Sequence, residues 1–154
     1  MYLDAVKARF AELKLAPAHE VVPCTHDEIA VLEHQLALTL PAVYQEFLLW
    51  MGHSAGGFLR GSSCFYRQLV ALQTAAVDLL NENQFPTVLP PDAFVFFMHQ
   101  GYQFNFFRWK EGDNPSVCFY GEGTTEATFS VIYPTFSAFL AVEIEDHAKL
   151  MLKS

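Results

Sequence analysis

The sequence predicts an α+β fold in which helices pack against an antiparallel β-sheet. Up to about residue 80, apolar residues recur at the three- and four-residue spacing of amphipathic helices. From Ala93 the pattern changes to short apolar runs of strand length separated by turns, and helical spacing returns after Pro134. The predicted strands are joined by short connections, which favour an antiparallel meander because parallel strands need long crossovers.

Two helices are predicted before residue 40. The first has apolar residues at helical spacing and ends before Pro17. The second begins at His26, because Thr25 and Glu28 match the S/T-x-x-E capping box, which satisfies free N–H groups at a helix start. Its apolar face consists of Ile29, Leu32 and Leu36.

A third helix is marked at both ends. Pro41 suits its first turn, because the N–H group that proline lacks would have no partner there. Gly52 is expected to end it in the left-handed conformation. A glycine turn and a strand at residues 58–60 are expected next, followed by a weaker helical pattern over residues 69–80 that ends at the sequence NENQFP.

The predicted sheet contains four segments, AFVFFMH, YQFNFFRW, SVCFY and ATFSVIY, with turns at QG, KEGDNP and GEGTT. The first segment is apolar on both faces, so we expect Phe94 and Phe96 to be buried together with Phe104 and Phe106 of the next segment. A closing helix is predicted after the last strand, with its apolar face running from Phe136 to Leu150 or Met151.

Composition and charge exclude several functional classes. Fifty-two per cent of the 154 residues are apolar and 17% are charged, which indicates a globular protein with a well-filled core. Nine Lys and Arg against seventeen Asp and Glu give a net charge of −8, the wrong sign for a surface that binds phosphates directly. Nucleic acid is therefore not an expected ligand.

The N-terminal sequence and the lengths of the apolar runs predict a cytoplasmic protein without a membrane anchor. The N-terminal sequence MYLDAVKARF carries charges where a secretory signal needs an apolar stretch, and the longest apolar run, AFVFFM, is far too short to span a bilayer. Cys24, Cys64 and Cys118 are an odd number at wide spacing, so we expect reduced thiols.

The sequence contains no complete catalytic motif. Cys64 with His53 or His99 is the best nucleophile and base, but Phe65 stands where a G-x-S-x-G motif needs its last glycine. These residues would make the protein a small cysteine hydrolase, which is the least favoured hypothesis for its function. We expect Cys64 to be buried and unreactive instead, because free cysteine is commonly buried.

Cofactor and metal motifs are equally weak. The spacing of Cys24, His26 and His34 matches no zinc signature. The sequence GEGTT lacks the third glycine of a dinucleotide-binding loop. The carboxylates Glu143, Glu145 and Asp146 are interpreted as a solvated face of the closing helix. We therefore assign no catalytic, metal or cofactor-binding residue.

The order of the elements resembles the SUKH superfamily. The resemblance rests on THDEIAVLEHQLALTLPAVYQEFLLWMG, FVFFMHQGYQFNFFRW, PSVCFY and YPTFSAFLAVEI, and it covers about residues 22–147. It implies one α+β domain over residues 1–154, with a curved, mainly antiparallel sheet packed with helices, that acts by binding rather than by catalysis. Bacterial members are often immunity proteins against polymorphic toxins, frequently nucleases, and fungal members regulate cell-wall synthesis.

The leading hypothesis is thus a cytosolic immunity protein that binds a toxin domain, and the alternative is an adaptor for an endogenous protein. Between Lys110 and Asp146 there are seven carboxylates and one base, against ten and eight in the rest of the chain. Four of them lie in two turns at opposite ends of one predicted strand, and two tyrosines could supply aromatic anchors. The expected partner-binding residues are Glu111, Asp113, Glu122, Glu126, Tyr102 and Tyr120.

Overall fold

The computed structural model describes residues 1–153, which form five α-helices, seven β-strands and two short 3-10 helices. The helices are α1 (Asp4–Glu12), α2 (His26–Leu36), α3 (Ala42–Met51), α4 (Tyr66–Glu82) and α5 (Phe136–Leu152). The strands are β1 (Val21–Val22), β2 (Ser54–Ala55), β3 (Ser62–Ser63), β4 (Ala93–His99), β5 (Gln103–Arg108), β6 (Val117–Gly121) and β7 (Ser130–Tyr133). The 3-10 helices are Ala18–Glu20 and Trp109–Glu111. The α+β prediction is confirmed.

The sheet is an antiparallel meander in the order β3-β4-β5-β6-β7, and β1 and β2 form a separate antiparallel ribbon. Gln103 at the start of β5 pairs with His99 of β4 and with Gly121 of β6. This register places the β4–β5 turn and the β6–β7 loop at one end of the sheet. The β5–β6 connection therefore lies at the other end.

Aromatic side chains fill the space between the sheet and the helices. Tyr44 of α3 is fully buried, and its ring lies 5.3 Å from those of Phe94, Phe107 and Phe136 in edge-to-face contacts. Phe96 lies beside them and contacts both Phe136 and Phe139 of α5. The expected burial of the four strand phenylalanines is confirmed.

The start of α2 agrees with the sequence pattern, whereas the end of α3 does not. The backbone N–H of Glu28 donates to Thr25 Oγ1 at 3.1 Å, and the N–H of Thr25 donates to Glu28 Oε1 at 2.9 Å, which completes the capping box. Gly52 has φ −60°, so the expected left-handed ending is wrong. Glycine is needed there for space, because a Cβ atom would clash with Cys24 Sγ.

The strand expected at residues 58–60 is also wrong, because this segment forms consecutive turns between β2 and β3. The N–H of Phe58 donates to the carbonyl of Ala55, and the N–H of Arg60 donates to that of Gly57. Local bonds thus occupy the groups that a strand would use for its ladder. The apolar residues of this segment still reach the core, and Phe58, which lies in a turn, is only 1% exposed.

Replacing Phe96 by alanine should lower the free energy of unfolding by about 3 to 5 kcal/mol, because the side chain is 2% exposed and its loss leaves a cavity among packed rings. Urea denaturation of both proteins would measure the change. Val88→Ala is the control, since Val88 is 85% exposed and its truncation should change stability by no more than about 0.5 kcal/mol. A loss below about 1 kcal/mol for Phe96→Ala would contradict this packing.

Candidate partner-binding surface

Two loops meet at one end of the sheet, which we call the hairpin end. It consists of the β4–β5 turn, residues 100–102, and the β6–β7 loop, residues 122–129. The N–H of Glu122 donates to the carbonyl of Tyr102 at 2.9 Å, so the two loops are in direct contact. Thr87, which follows α4, donates its hydroxyl to the carbonyl of Ala127 and ties the longer loop to the body of the protein.

The structure divides the six expected partner-binding residues among three locations. Tyr102, Glu122 and Glu126 lie at the hairpin end and are exposed. Glu111 and Asp113 lie at the opposite end of the sheet. Because β5 has six residues, and a strand rises about 3.3 Å per residue, the two ends are about 20 Å apart. The six residues do not form one surface.

Glu111 and Asp113 hold local structure together. Glu111 Oε1 accepts hydrogen bonds from the backbone N–H of Ser116 at 2.9 Å and from its hydroxyl at 2.8 Å. Asp113 accepts from the Tyr2 hydroxyl at 3.3 Å, and its carbonyl accepts from the N–H of Val43 at 3.0 Å. The Glu111 carboxylate therefore stabilises the β5–β6 connection, the Asp113 carboxylate joins it to Tyr2 ahead of α1, and the Asp113 carbonyl joins it to α3.

The expectation that Tyr120 stands at the surface is wrong. Its side chain is 3% exposed, and its ring lies 4.9 Å from that of Phe85 and 5.4 Å from that of Phe104. Asn83 Nδ2 donates to its hydroxyl at 2.9 Å, so the polar end is satisfied inside the protein. Tyr120 is therefore a core residue, with its ring packed among other rings and its hydroxyl hydrogen-bonded inside the protein.

Glu122 and Glu126 differ from the other predicted carboxylates because neither is neutralised. Within residues 1–153 their side chains form no ion pair and no hydrogen bond, although the N–H of Glu126 does donate to Thr124 Oγ1. Tyr102, 39% exposed, lies at the tip of the β4–β5 turn, and its carbonyl accepts from the N–H of Glu122. The hairpin end thus presents two free negative charges and an aromatic ring.

A cleft of about 260 Å³ lies beside the hairpin end, between α5 and the start of β5, and the sequence did not reveal it. Its polar lining comprises Arg60, Ser62, His99, Gln103, Glu143, Asp146 and His147. Ser62 Oγ and His99 Nδ1 are 3.0 Å apart and share a hydrogen bond. Burial raises the pKa of Glu143, and the neighbouring Asp146 raises it further.

The carboxylates of α5 do not all belong to the solvated face that the sequence suggested. Glu145 points away from the cleft and pairs with Arg9 of α1 at 2.6 Å. Glu143 lies in the cleft at the flank of the buried face formed by Phe139, Leu140 and Ile144. Its position one turn after two buried residues was the available signal, since residues three and four apart share a helix face.

Glu143→Gln should raise the melting temperature at pH 7 and leave it unchanged near pH 4. The raised pKa means that the folded state binds this proton more tightly than the unfolded state. The associated stability is therefore complete below the unfolded carboxyl pKa of about 4.3 and is lost as pH rises through the folded pKa. Melting curves from pH 4 to pH 7 would measure the difference.

Glu122→Gln controls for the change in net charge, because it removes an exposed carboxylate with no ion pair within residues 1–153. A melting temperature of Glu143→Gln that equals the wild-type value at both pH values would contradict the partly buried position of Glu143.

The three thiols are buried and lack the setting of a nucleophile. Burial raises the pKa of Cys64 to about 12, and Glu143 adds to the effect. Cys24 also has a pKa raised by burial to about 12, and Cys118 is shifted in the same direction. A thiol that stays protonated and is closed to solvent does not attack a substrate. This conformation gives the cysteine-hydrolase hypothesis no nucleophile.

Among residues 1–153, Cys24, Glu28 and His53 bring three groups that can bind a metal within 4.8 Å of one another. Hydrogen bonds already account for this arrangement. Glu28 Oε1 accepts from the N–H of Thr25, and Glu28 Oε2 lies 2.7 Å from His53 Nε2. The backbone bond from Thr25 and the imidazole of His53 hold the pKa of Glu28 below its usual range. We assign the group a structural role that joins the start of α2 to the end of α3.

An antiparallel meander covered by helices defines an α+β domain. The chain belongs to the SMI1 / KNR4 family (SUKH-1), whose model matches residues 23–142. This agrees with the range of the sequence resemblance. Comparison with curated proteins gives no significant match. In the described part of the chain, residues 1–153, we find no helix with the length and apolar character needed to cross a bilayer.

Proposed function

We propose that this protein is a cytosolic immunity protein that binds a toxin domain through its hairpin end. Membership of the SUKH-1 family is consistent with an immunity or a regulatory role. The observation that carries the proposal is that the loop with the unpaired carboxylates Glu122 and Glu126 is in contact with the turn that exposes Tyr102. This surface suits a basic partner, because separated charges of opposite sign steer two proteins together.

A nuclease toxin fits this surface in chemical terms. Such an enzyme needs a cationic cleft to bind phosphates. Acidic loops placed over that cleft would speed association and also exclude the substrate, and Tyr102 would provide an aromatic anchor at the contact. Blocking by occupation requires no catalytic group in the immunity protein.

The cleft beside the hairpin end supports the same partner chemistry. The ionised form of Glu143 is disfavoured by partial burial and by repulsion from Asp146, which together raise its pKa. A cationic side chain of a bound partner would offset both the burial and the repulsion. An arginine suits this position best, because its planar guanidinium binds carboxylates with two parallel hydrogen bonds.

An adaptor for an endogenous protein is the second proposal, because fungal members of the superfamily regulate cell-wall synthesis. The neighbouring genes distinguish the two proposals. An immunity gene is expected directly after a gene for a large secreted protein with a C-terminal toxin domain. Co-expression of this chain should restore growth to cells that express that toxin domain, and the purified proteins should form a complex. If growth is not restored and no complex forms, the immunity proposal is contradicted.

Replacing Glu122 and Glu126 together with serine should slow association with the toxin domain by about tenfold at low salt, with a smaller effect at high salt. The two charges steer the encounter and have no partner within residues 1–153 that could depend on them. Stopped-flow association rates at two ionic strengths would measure this change.

The matched control is Glu111→Gln with Asp113→Asn, which removes the same charge from the opposite end of the sheet and keeps an oxygen that can accept the hydrogen bonds of Ser116 and Tyr2. We expect this pair to leave the association rate close to that of the wild type. Equal rates for both double variants would exclude the hairpin end as the steering surface and would leave the immunity role to be tested by growth.

A further inference from the structure

An apolar groove of about 840 Å³ lies on a separate part of the molecule, between α1 and the second half of α3. Its floor and walls include Phe10, Val21, Leu49 and Trp50, and its charged lining residues are Lys7 and Lys14. The volume lies within the range of about 300 to 1,000 Å³ typical of ligand pockets. Neither the hairpin end nor the cleft beside it shares a residue with this groove.

Ring contacts make the floor of the groove rigid. Phe10 is 5% exposed, and its ring meets that of Trp50 edge to face at 5.1 Å and that of Phe58 at 5.5 Å. Trp50 is only partly buried, so one side of its indole remains open to the groove. An apolar ligand would therefore enter a preformed surface with little loss of side-chain freedom.

The N-terminal segment builds one side of the groove. Lys7, Phe10 and Lys14 all precede residue 23, where the match to the SUKH-1 family begins. Leu49 and Trp50 lie within the matched region. The groove therefore exists because α1 packs beside the family fold, and it is a feature that the family match does not explain.

The charge of the groove is opposite to that of the whole protein. Its two charged lining residues are both lysines, although the chain carries a net charge of −8. The Lys7 ammonium lies 5.8 Å from the centre of the Trp50 ring, within the range of a cation–π contact. Within residues 1–153 neither lysine forms an ion pair. An anionic ligand would complement both.

We propose that this groove binds a short acidic and apolar peptide segment of a second protein. Large apolar side chains of the segment would pack on Phe10, Leu49 and Trp50, while its carboxylates would pair with Lys7 and Lys14. A peptide suits the site better than a free small molecule, because the rim is exposed at Ala11, Lys14 and Pro17 and the groove is open along one side. The rest of the partner protein would cover that open side.

Trp50 provides a local reporter for this binding. Trp109→Phe leaves Trp50 as the one tryptophan of the chain, so its emission reports the groove alone. We would titrate this variant with the blocked peptide ELFDELLD, with the basic peptide KLFKKLLK and with the polar peptide ESSDESSD. The acidic apolar peptide should give a saturable change in emission, and the other two should give none over the same concentrations.

Lys7→Gln with Lys14→Gln should weaken the binding of ELFDELLD by about tenfold or more, since each lysine loses a charged hydrogen bond. Arg67→Gln with Lys149→Gln is the matched control, because it removes two exposed cations outside the groove and should leave the dissociation constant unchanged. Ala11→Glu adds a carboxylate at an exposed position of the groove wall and should also weaken binding.

Several results would overturn the proposal. They are the absence of any saturable response to ELFDELLD, an equal response to the basic peptide, or equal losses in the two double variants. Saturation by decanoate without saturation by the peptide would show a site for small amphiphiles instead. None of these outcomes bears on the hairpin end, because the test uses no toxin domain.

Discussion

The packing of Tyr44 against the sheet is the contact on which the rest of the structure depends. Its ring contacts five phenylalanine rings, which come from α3 itself, from β4 and β5, and from α5. The two helices are thereby fixed to the two central strands. Within residues 1–153 the Tyr44 hydroxyl has no hydrogen-bond partner, which costs about 1 to 3 kcal/mol, and the ring contacts offset this cost.

This core determines where the loops of the hairpin end lie. A slip of one residue between β4 and β5 would move their side chains to the opposite faces of the sheet and break ring contacts such as that of Phe96 with Phe107, so the pairing of Gln103 with His99 is fixed. The same register brings Tyr102 next to Glu122. The uncovered edge of β4 is also closed, because the Gln73 side chain bonds both the N–H and the carbonyl of Val95. The loops of the hairpin end are thus held in place by the strands and by their own hydrogen bonds.

The sequence predicted the elements that local chemistry determines and missed those that depend on distant contacts. The capping box at Thr25 and the helical spacing after Pro41 are local, and they located α2 and α3 closely. Gly52 was assigned to a left-handed ending, but the Cys24 side chain that requires a glycine there comes from a different segment. The turns near Phe58 were mistaken for a strand because apolar residues enter the core from either structure.

The candidate site also depends on contacts between distant segments, which the sequence does not reveal. The sequence identified the acidic turns, but the strand pairing decides that Glu122 and Glu126 belong together while Glu111 and Asp113 lie far away. Which face of β6 carries Tyr120 depends on the packing of Phe85 and Phe104, and no pattern within VCFY determines it. Charge at a turn can thus be predicted from sequence, whereas its neighbours must come from the fold.

The two proposed binding surfaces would have opposite preferences, and they lie on separate parts of this small acidic protein. The carboxylates at the hairpin end repel an acidic segment and attract a basic domain. The groove beside α1 has two lysines next to apolar rings and repels a basic segment. Because the surfaces share no residue, each can hold its partner without competing for the same side chains. A ligand at one surface would then affect the other only through the rigid aromatic core, which favours independent binding over coupled binding.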